Sequence, residues 1–182
     1  MNRHNVFISY HHNEPDQKYR NHFENLFANH HEIFISKSVQ IGDIESNLQT
    51  EVVRQKIRDE YLRDSTVTIV LIGSLTWQRK HVDWEISSSI RHTEKNPRSG
   101  LMGIFLPSYP FSSDNKFNPR TIPPRLYDNW KNGNQRFAKL YNWSSDPTQV
   151  QSWIHEAFLN RNKIIPDNSY EHYVNNRTSS QW

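Results

Sequence analysis

Cysteine is absent from the 182 residues. Disulfides, thiolate metal sites and a cysteine nucleophile are therefore excluded, and such a chain suits a reducing cytoplasm. Glycine is scarce, with 5 residues, and neither G-x-x-x-x-G-K-[ST] nor G-x-G-x-x-G occurs. The phosphate-loop and dinucleotide-binding Rossmann signatures are missing with them, and Gly73-Ser74 does not extend into the G-x-S-x-G elbow of hydrolases. Apolar residues make up only 34%, and mean hydropathy is −0.91. No window approaches the roughly 18 apolar residues of a membrane span. Val6–Tyr10, interrupted by Ser9, is too short for the apolar core of a secretion signal. The expectation is a cytoplasmic protein that engages no membrane. Charge of one sign is also weak: the net charge is +3, and no Lys/Arg run exceeds Arg79-Lys80. Nucleic acid is not an expected partner. The histidines include the pairs His11-His12 and His30-His31, and His81 four residues before Glu85. Without thiolates they suggest no convergent set of three or four ligands, so no metal is expected.

Aromatic side chains are plentiful: 9 Phe, 8 Tyr and 6 Trp. Short apolar runs alternate with amphipathic segments. Strands are predicted at Val6–Tyr10, Ile33–Ile35, Thr66–Ile72, Leu101–Leu106 and within Phe137–Trp143. Helices are predicted at Gln17–Ala28, around Leu48, Val52, Val53, Ile57 and Tyr61, at Thr76–His92 with Val82, Ile86 and Ile90 facing inward, and at Pro147–Leu159 with Asp146 as N-cap. This alternation predicts an α/β fold, a parallel sheet with helices on both faces. Pro107–Trp130 breaks the pattern. It holds five of the nine prolines with Phe111, Phe117 and Tyr127, and a connection of that length and composition reads as an ordered excursion or lid. Residues 1–160 form the expected domain. Arg161–Trp182 reads as a polar, poorly ordered C-terminal tail, with Tyr170, Tyr173 and Trp182 as docking points.

The segment Thr66–Ile90, TVTIVLIGSLTWQRKHVDWEISSSI, is the most informative. Its continuous β-branched run suits a strand buried on both faces. Loops at the carboxyl ends of such strands are where open α/β folds bind ligands. Glu85, on the helix that follows, sits where chemistry is possible; from position alone it is equally a solvated helix carboxylate.

Three elements line up: VFISYHH, a loop with Gly42-Asp43 after the second strand, and IVLIGSLTWQRKHVDWEI with Glu85 beside Trp84. Together they resemble a TIR (Toll/interleukin-1 receptor) domain, most nearly the compact TIR-like proteins of the bacterial Thoeris antiphage-defence system, over nearly the whole chain. The resemblance implies a flavodoxin-like three-layer fold around a central, mainly parallel five-stranded sheet. It also implies cleavage of the nicotinamide–ribose bond of NAD, as substrate and not as cofactor, with Glu85 as catalytic residue. The product implied is a cyclic ADP-ribose-type signal that reaches a separate effector by diffusion, and other TIR protomers are implied as partners. Phe7, Ser9, Tyr10 and His11 would then wall the NAD pocket, or simply form a buried strand terminus. Ser74 would bind phosphate or ribose, or cap the helix that follows. Trp77 and Trp84 would stack on the substrate or fill core. Asp43 would gate the pocket, contact a neighbouring protomer, or sit in a plain turn. His81 stands where the family usually has Trp, and Val82 and Asp83 occupy the space of its usual Ser or Cys polar pair. Two other readings of the same residues are a non-catalytic TIR interaction module working through Ser36–Ser46 and a nucleoside deoxyribosyltransferase-like enzyme.

Overall fold

The computed structural model describes residues 3–37, 52, 59, 62–94 and 96–182. Strands β1 His4–Ser9, β2 Phe34–Ser36, β3 Val67–Ile72, β4 Gly100–Phe105 and β5 Ala138–Asn142 form one sheet in the order β2-β1-β3-β4-β5. Every pairing is parallel, so the sheet is wholly rather than mainly parallel. Helices among the described residues include α1 Glu14–Glu24, α2 Lys80–Ile90, α3 Pro124–Trp130 and α4 Pro147–Lys163. Of the expected helix around Leu48–Tyr61 only residues 52 and 59 are described, Val52 in helical conformation; the rest lies outside the described residues.

The two sheet faces bury separate cores. Val6, Ile8 and Tyr10 of the first strand and its exit join Ile69, Leu71, Phe23 and Phe27, under α1 and α4. On the other face Val70, Ile72 and Phe105 meet Val82, Ile86 and Ile90 of α2 and Leu126 of α3. All six residues of β3 are buried, as a strand covered by helices on both faces requires. This is the three-layer α/β arrangement expected.

Local chemistry moves several boundaries. The side chain of Asn13 accepts from the Asp16 N–H, and Pro15 fits the first turn, so α1 starts before Gln17. A π-helical stretch, Asn25–His30, continues it. The helix predicted over Thr76–His92 is divided into a 3-10 turn, Thr76–Gln78, and α2. Asp146 does cap α4, accepting from the Thr148 and Gln149 N–H groups. Within the Pro-rich excursion, Tyr109, Phe111 and Phe117 pack around Phe105, with ring centroids 4.7–5.1 Å from it, and Ile122 is fully buried. Hydrophobic contact with the end of β4 is what orders the excursion.

Helix α4 lies directly on the sheet at Gly100. A Cβ there would stand 2.0 Å from the Ala157 carbonyl oxygen, a backbone atom that cannot rotate away. Gly100→Ala is expected to destabilise the protein by roughly 2–3 kcal/mol and to lower Tm by roughly 5–10 °C. Thermal denaturation followed by circular dichroism checks this; an unchanged Tm would mean that α4 lifts away at no cost.

Residues 164–182 contain no helix or strand, but they are not the loose tail expected. Tyr173 is buried and Trp182 donates its indole N–H to the Ile122 carbonyl at 2.7 Å. The segment runs across α2 and α3, held mainly by hydrogen bonds.

Candidate active site

Ser9 closes β1, pairing in register with Val70 of β3. In the order β2-β1-β3 the chain reverses direction across the sheet between β1 and β3, and the carboxyl ends there form the crevice that open α/β sheets use for ligands. Side chains alternate along β1, so Ile8 and Tyr10 face the α1 and α4 side while Ser9 faces α2. Glu85, in the second turn of α2, comes down on it: Ser9 Oγ donates to Glu85 Oε2 at 2.5 Å. Glu85 is only 7% exposed. Burial pushes its carboxyl up to about 8, against the smaller opposing effect of the Ser9 hydrogen bond.

His81, one helical turn before Glu85, meets the Tyr10 carbonyl oxygen at 3.1 Å through Nε2. A carbonyl only accepts, so this nitrogen carries the proton. His81 thus ties α2 to the loop leaving β1. His12 stacks on Tyr10 at 4.3 Å and tilts against His81 at 4.7 Å. Burial pushes His11 down to about 4 and His12 down to about 3, and lowers His81 as well. All three rings are therefore neutral near pH 7 and leave the approach to Glu85 without imidazolium charge.

The turn after β3 is fixed by Thr76. Its Oγ1 accepts from the Gly73 N–H at 2.8 Å and donates to the Leu71 carbonyl at 3.3 Å. Ser74 is exposed and is not the cap of this turn. Trp77 is buried in the core. Trp84 is buried too: it donates its indole N–H to the Tyr173 carbonyl at 2.9 Å, and the Lys80 ammonium lies 5.2 Å from its ring centroid. Phe7 is a buried strand residue and Tyr10 donates its hydroxyl to Gln17 at 2.6 Å. Asp43 lies outside the described residues. Ser9 and Glu85 thus meet at the carboxyl ends of β1 and β3, and His11 lies two residues beyond Ser9 on the loop that leaves β1. The side chains of Tyr10, Trp77 and Trp84 turn into packed surroundings, and Ser74 faces solvent.

Two further buried carboxylates carry no role in the sequence reading. Asp83 is 3% exposed and accepts from Arg125 Nε at 3.1 Å and from the Tyr173 N–H at 3.0 Å. Asp16, in the first turn of α1, is 1% exposed on the opposite face of the sheet. Its carboxylate lies against Gly73, where a Cβ would come within 2.3 Å of Oδ2. Among the described residues Oδ2 has no hydrogen-bond partner, and burial pushes this carboxyl up to about 6. No sequence pattern marks either residue, since both occur among the ordinary polar positions of amphipathic helices.

The family model described as Thoeris protein ThsB, TIR-like domain, matches residues 7–109, more than half of the chain. The chain belongs to the Thoeris TIR-like family. The matched span includes Ser9, the β3 turn and Glu85, and stops before α3, β5 and α4. No curated protein matches this Thoeris TIR-like chain significantly. Among its described residues no helix is long and apolar enough to cross a membrane, and no group of three or more His, Asp or Glu side chains is arranged to hold a metal ion.

Proposed function

We propose that this Thoeris TIR-like protein cleaves the nicotinamide–ribose bond of NAD and closes the remaining ADP-ribose into a cyclic signal that activates an effector in antiphage defence. The observation that carries this reading is Glu85, a buried carboxyl held by Ser9 at the carboxyl ends of β1 and β3. The C1′–N1 bond breaks heterolytically and its electron pair leaves with nicotinamide, which departs neutral. No general acid is needed. Positive charge develops on the ribose, and a single carboxylate beside it supplies the stabilisation. Water capturing C1′ gives ADP-ribose and a proton; a nucleophilic atom of the ADP-ribose itself capturing C1′ closes a ring.

The position of Glu85 suits a cationic substrate. In the protein alone its carboxyl holds a proton up to about pH 8. A pyridinium ribose placed opposite favours the charged form and draws that pKa down, so the negative charge appears when the positive charge arrives. The low-dielectric surroundings then strengthen their attraction.

The test is purified protein with NAD, nicotinamide and nucleotide products being separated by chromatography, beside phage challenge of cells carrying the wild type or Glu85→Gln. Nicotinamide release with a cyclic product, and loss of protection in the variant, are the expected results. Equal protection by a folded Glu85→Gln protein would sink the enzymatic reading. Base exchange between nucleosides without NAD turnover would select a deoxyribosyltransferase instead.

A further inference from the structure

Nine consecutive residues of α2, 82–90, are buried, although the outer side of this helix is polar. What covers that side is the segment after α4. Asn168 Nδ2 donates to the Ser87 carbonyl at 3.0 Å, and Ser87 Oγ meets His172 Nε2 at 2.7 Å. Asn176 Oδ1 accepts from the Lys80 N–H at 2.9 Å. Tyr173 is the centre of the contact. Its N–H donates to Asp83, its carbonyl accepts from Trp84, and its hydroxyl donates to the Trp77 carbonyl at 2.9 Å. The same segment takes three bonds from the Arg125 guanidinium, at the Asn168 carbonyl, Asn168 Oδ1 and the Tyr170 carbonyl, while Arg125 Nε holds Asp83.

At about 100° per residue, Lys80, Asp83, Trp84 and Ser87 share one side of α2, while His81 and Glu85 share the side turned toward β1. The helix is therefore held from two directions. Ser9 and the Tyr10 carbonyl grip it at Glu85 and His81. The C-terminal segment grips it at the residues just before and just after Glu85.

We propose that residues 167–179 act as a positioning strap for the active site, with Tyr173 and Asp83 as positioning residues that keep Glu85 seated against Ser9. The strap lies wholly outside the span matched by the Thoeris TIR-like family. Its kinetic consequence rests on the NAD-cleaving reading; its effect on Glu85 does not. Without the strap, α2 is free to tilt from the β1 end, water reaches the carboxyl, and the charge is misplaced relative to the ribose. A misplacement of about 1 Å costs on the order of 10²-fold in rate.

The experiment compares full-length wild type with Tyr173→Ala and with the conservative Tyr173→Phe, which keeps the buried ring. Two readouts are taken on proteins shown by thermal melting to be folded: the ionisation of the Glu85 carboxyl by ¹³C NMR across pH, and kcat and KM for nicotinamide release. In Tyr173→Ala the Glu85 midpoint is expected to fall by roughly one pH unit or more as water enters. Its kcat is expected to drop roughly 10- to 100-fold, with KM within about threefold. Tyr173→Phe is expected to restore both. A folded Tyr173→Ala protein with an unmoved Glu85 midpoint overturns the proposal. If that variant does not fold, Asn168→Ala and His172→Ala are expected to move the midpoint in the same direction by less, and no movement in either overturns it equally. A wild type that releases no nicotinamide defeats the enzymatic reading alone, because the NMR midpoints still decide whether the strap governs Glu85.

Discussion

Glu85→Gln is expected to lower nicotinamide release by about 10²–10³-fold or more and, at pH 8, to make the protein more stable. Both effects have one cause. The carboxyl is buried and accepts from the Ser9 hydroxyl, a setting that disfavours charge in the protein alone and strengthens attraction to a cation brought beside it. The folded protein holds the Glu85 proton up to about pH 8, whereas its ordinary value is 4.5. Below pH 4.5 both the folded and the unfolded chain are protonated. As pH rises above that, the unfolded chain ionises first, so folding stability is lost steadily until the folded pKa is passed. The loss amounts to a few kcal/mol. Glutamine does not titrate, so the variant's advantage grows from about pH 5 to about pH 8 and then levels. Urea denaturation at pH 5 and pH 8 measures it. The wild-type kcat/KM is expected to climb with pH over the same window, because the proposed reaction uses Glu85 without this proton. A variant as active as the wild type would remove the carboxylate from the reaction; a variant whose stability advantage is the same at both pH values would mean that Glu85 is not buried as a neutral acid.

Arg125→Met carries the largest expected loss of stability. Arg125 is fully buried and Asp83 is 3% exposed, so removing the guanidinium leaves a carboxylate in the interior with, among the described residues, the Tyr173 N–H as its one remaining donor. Breaking such a pair on one side costs about 3–5 kcal/mol. Here it also leaves the Asn168 and Tyr170 carbonyls of the strap without their donor. The double variant Asp83→Asn/Arg125→Met is expected to lose less than the sum of the single changes, since each half removes the charge that the other half strands. Chemical denaturation of the four proteins gives the coupling. Additive losses would show that the ion pair contributes nothing beyond its separate hydrogen bonds.

The parts of the fold legible in the sequence are those built by apolar burial. Val67–Ile72 is an unbroken apolar and β-branched run because helices cover both its faces, and Val82, Ile86 and Ile90 recur at spacing four because they rest on it. The place of Glu85 follows from those two facts together, and Asp146 before Pro147 announces the start of α4. What stayed hidden is held by polar contacts, which have no period. Thr76 pins the turn after β3 through two hydrogen bonds, whereas the sequence offers Ser74 as the cap. Arg125 falls within the Pro-rich excursion, where no periodicity predicts a helix, and a carboxylate on another helix draws it inside. Residues 164–182 have too few apolar side chains to suggest a packed segment, yet they dock because α2 and α3 offer donors and acceptors at matching positions.

Kinship and working architecture have different lengths in this protein. Residues 7–109 are enough to recognise its relatives, but the outer covering of α2 comes from the far end of the chain. Two proteins equally alike across that shared stretch can dress the same helix differently, one with a hydrogen-bonded wrap and another with bare solvent or a neighbouring subunit. A chimaera that kept the shared stretch and exchanged the rest would inherit the buried carboxyl without the C-terminal segment that covers its helix.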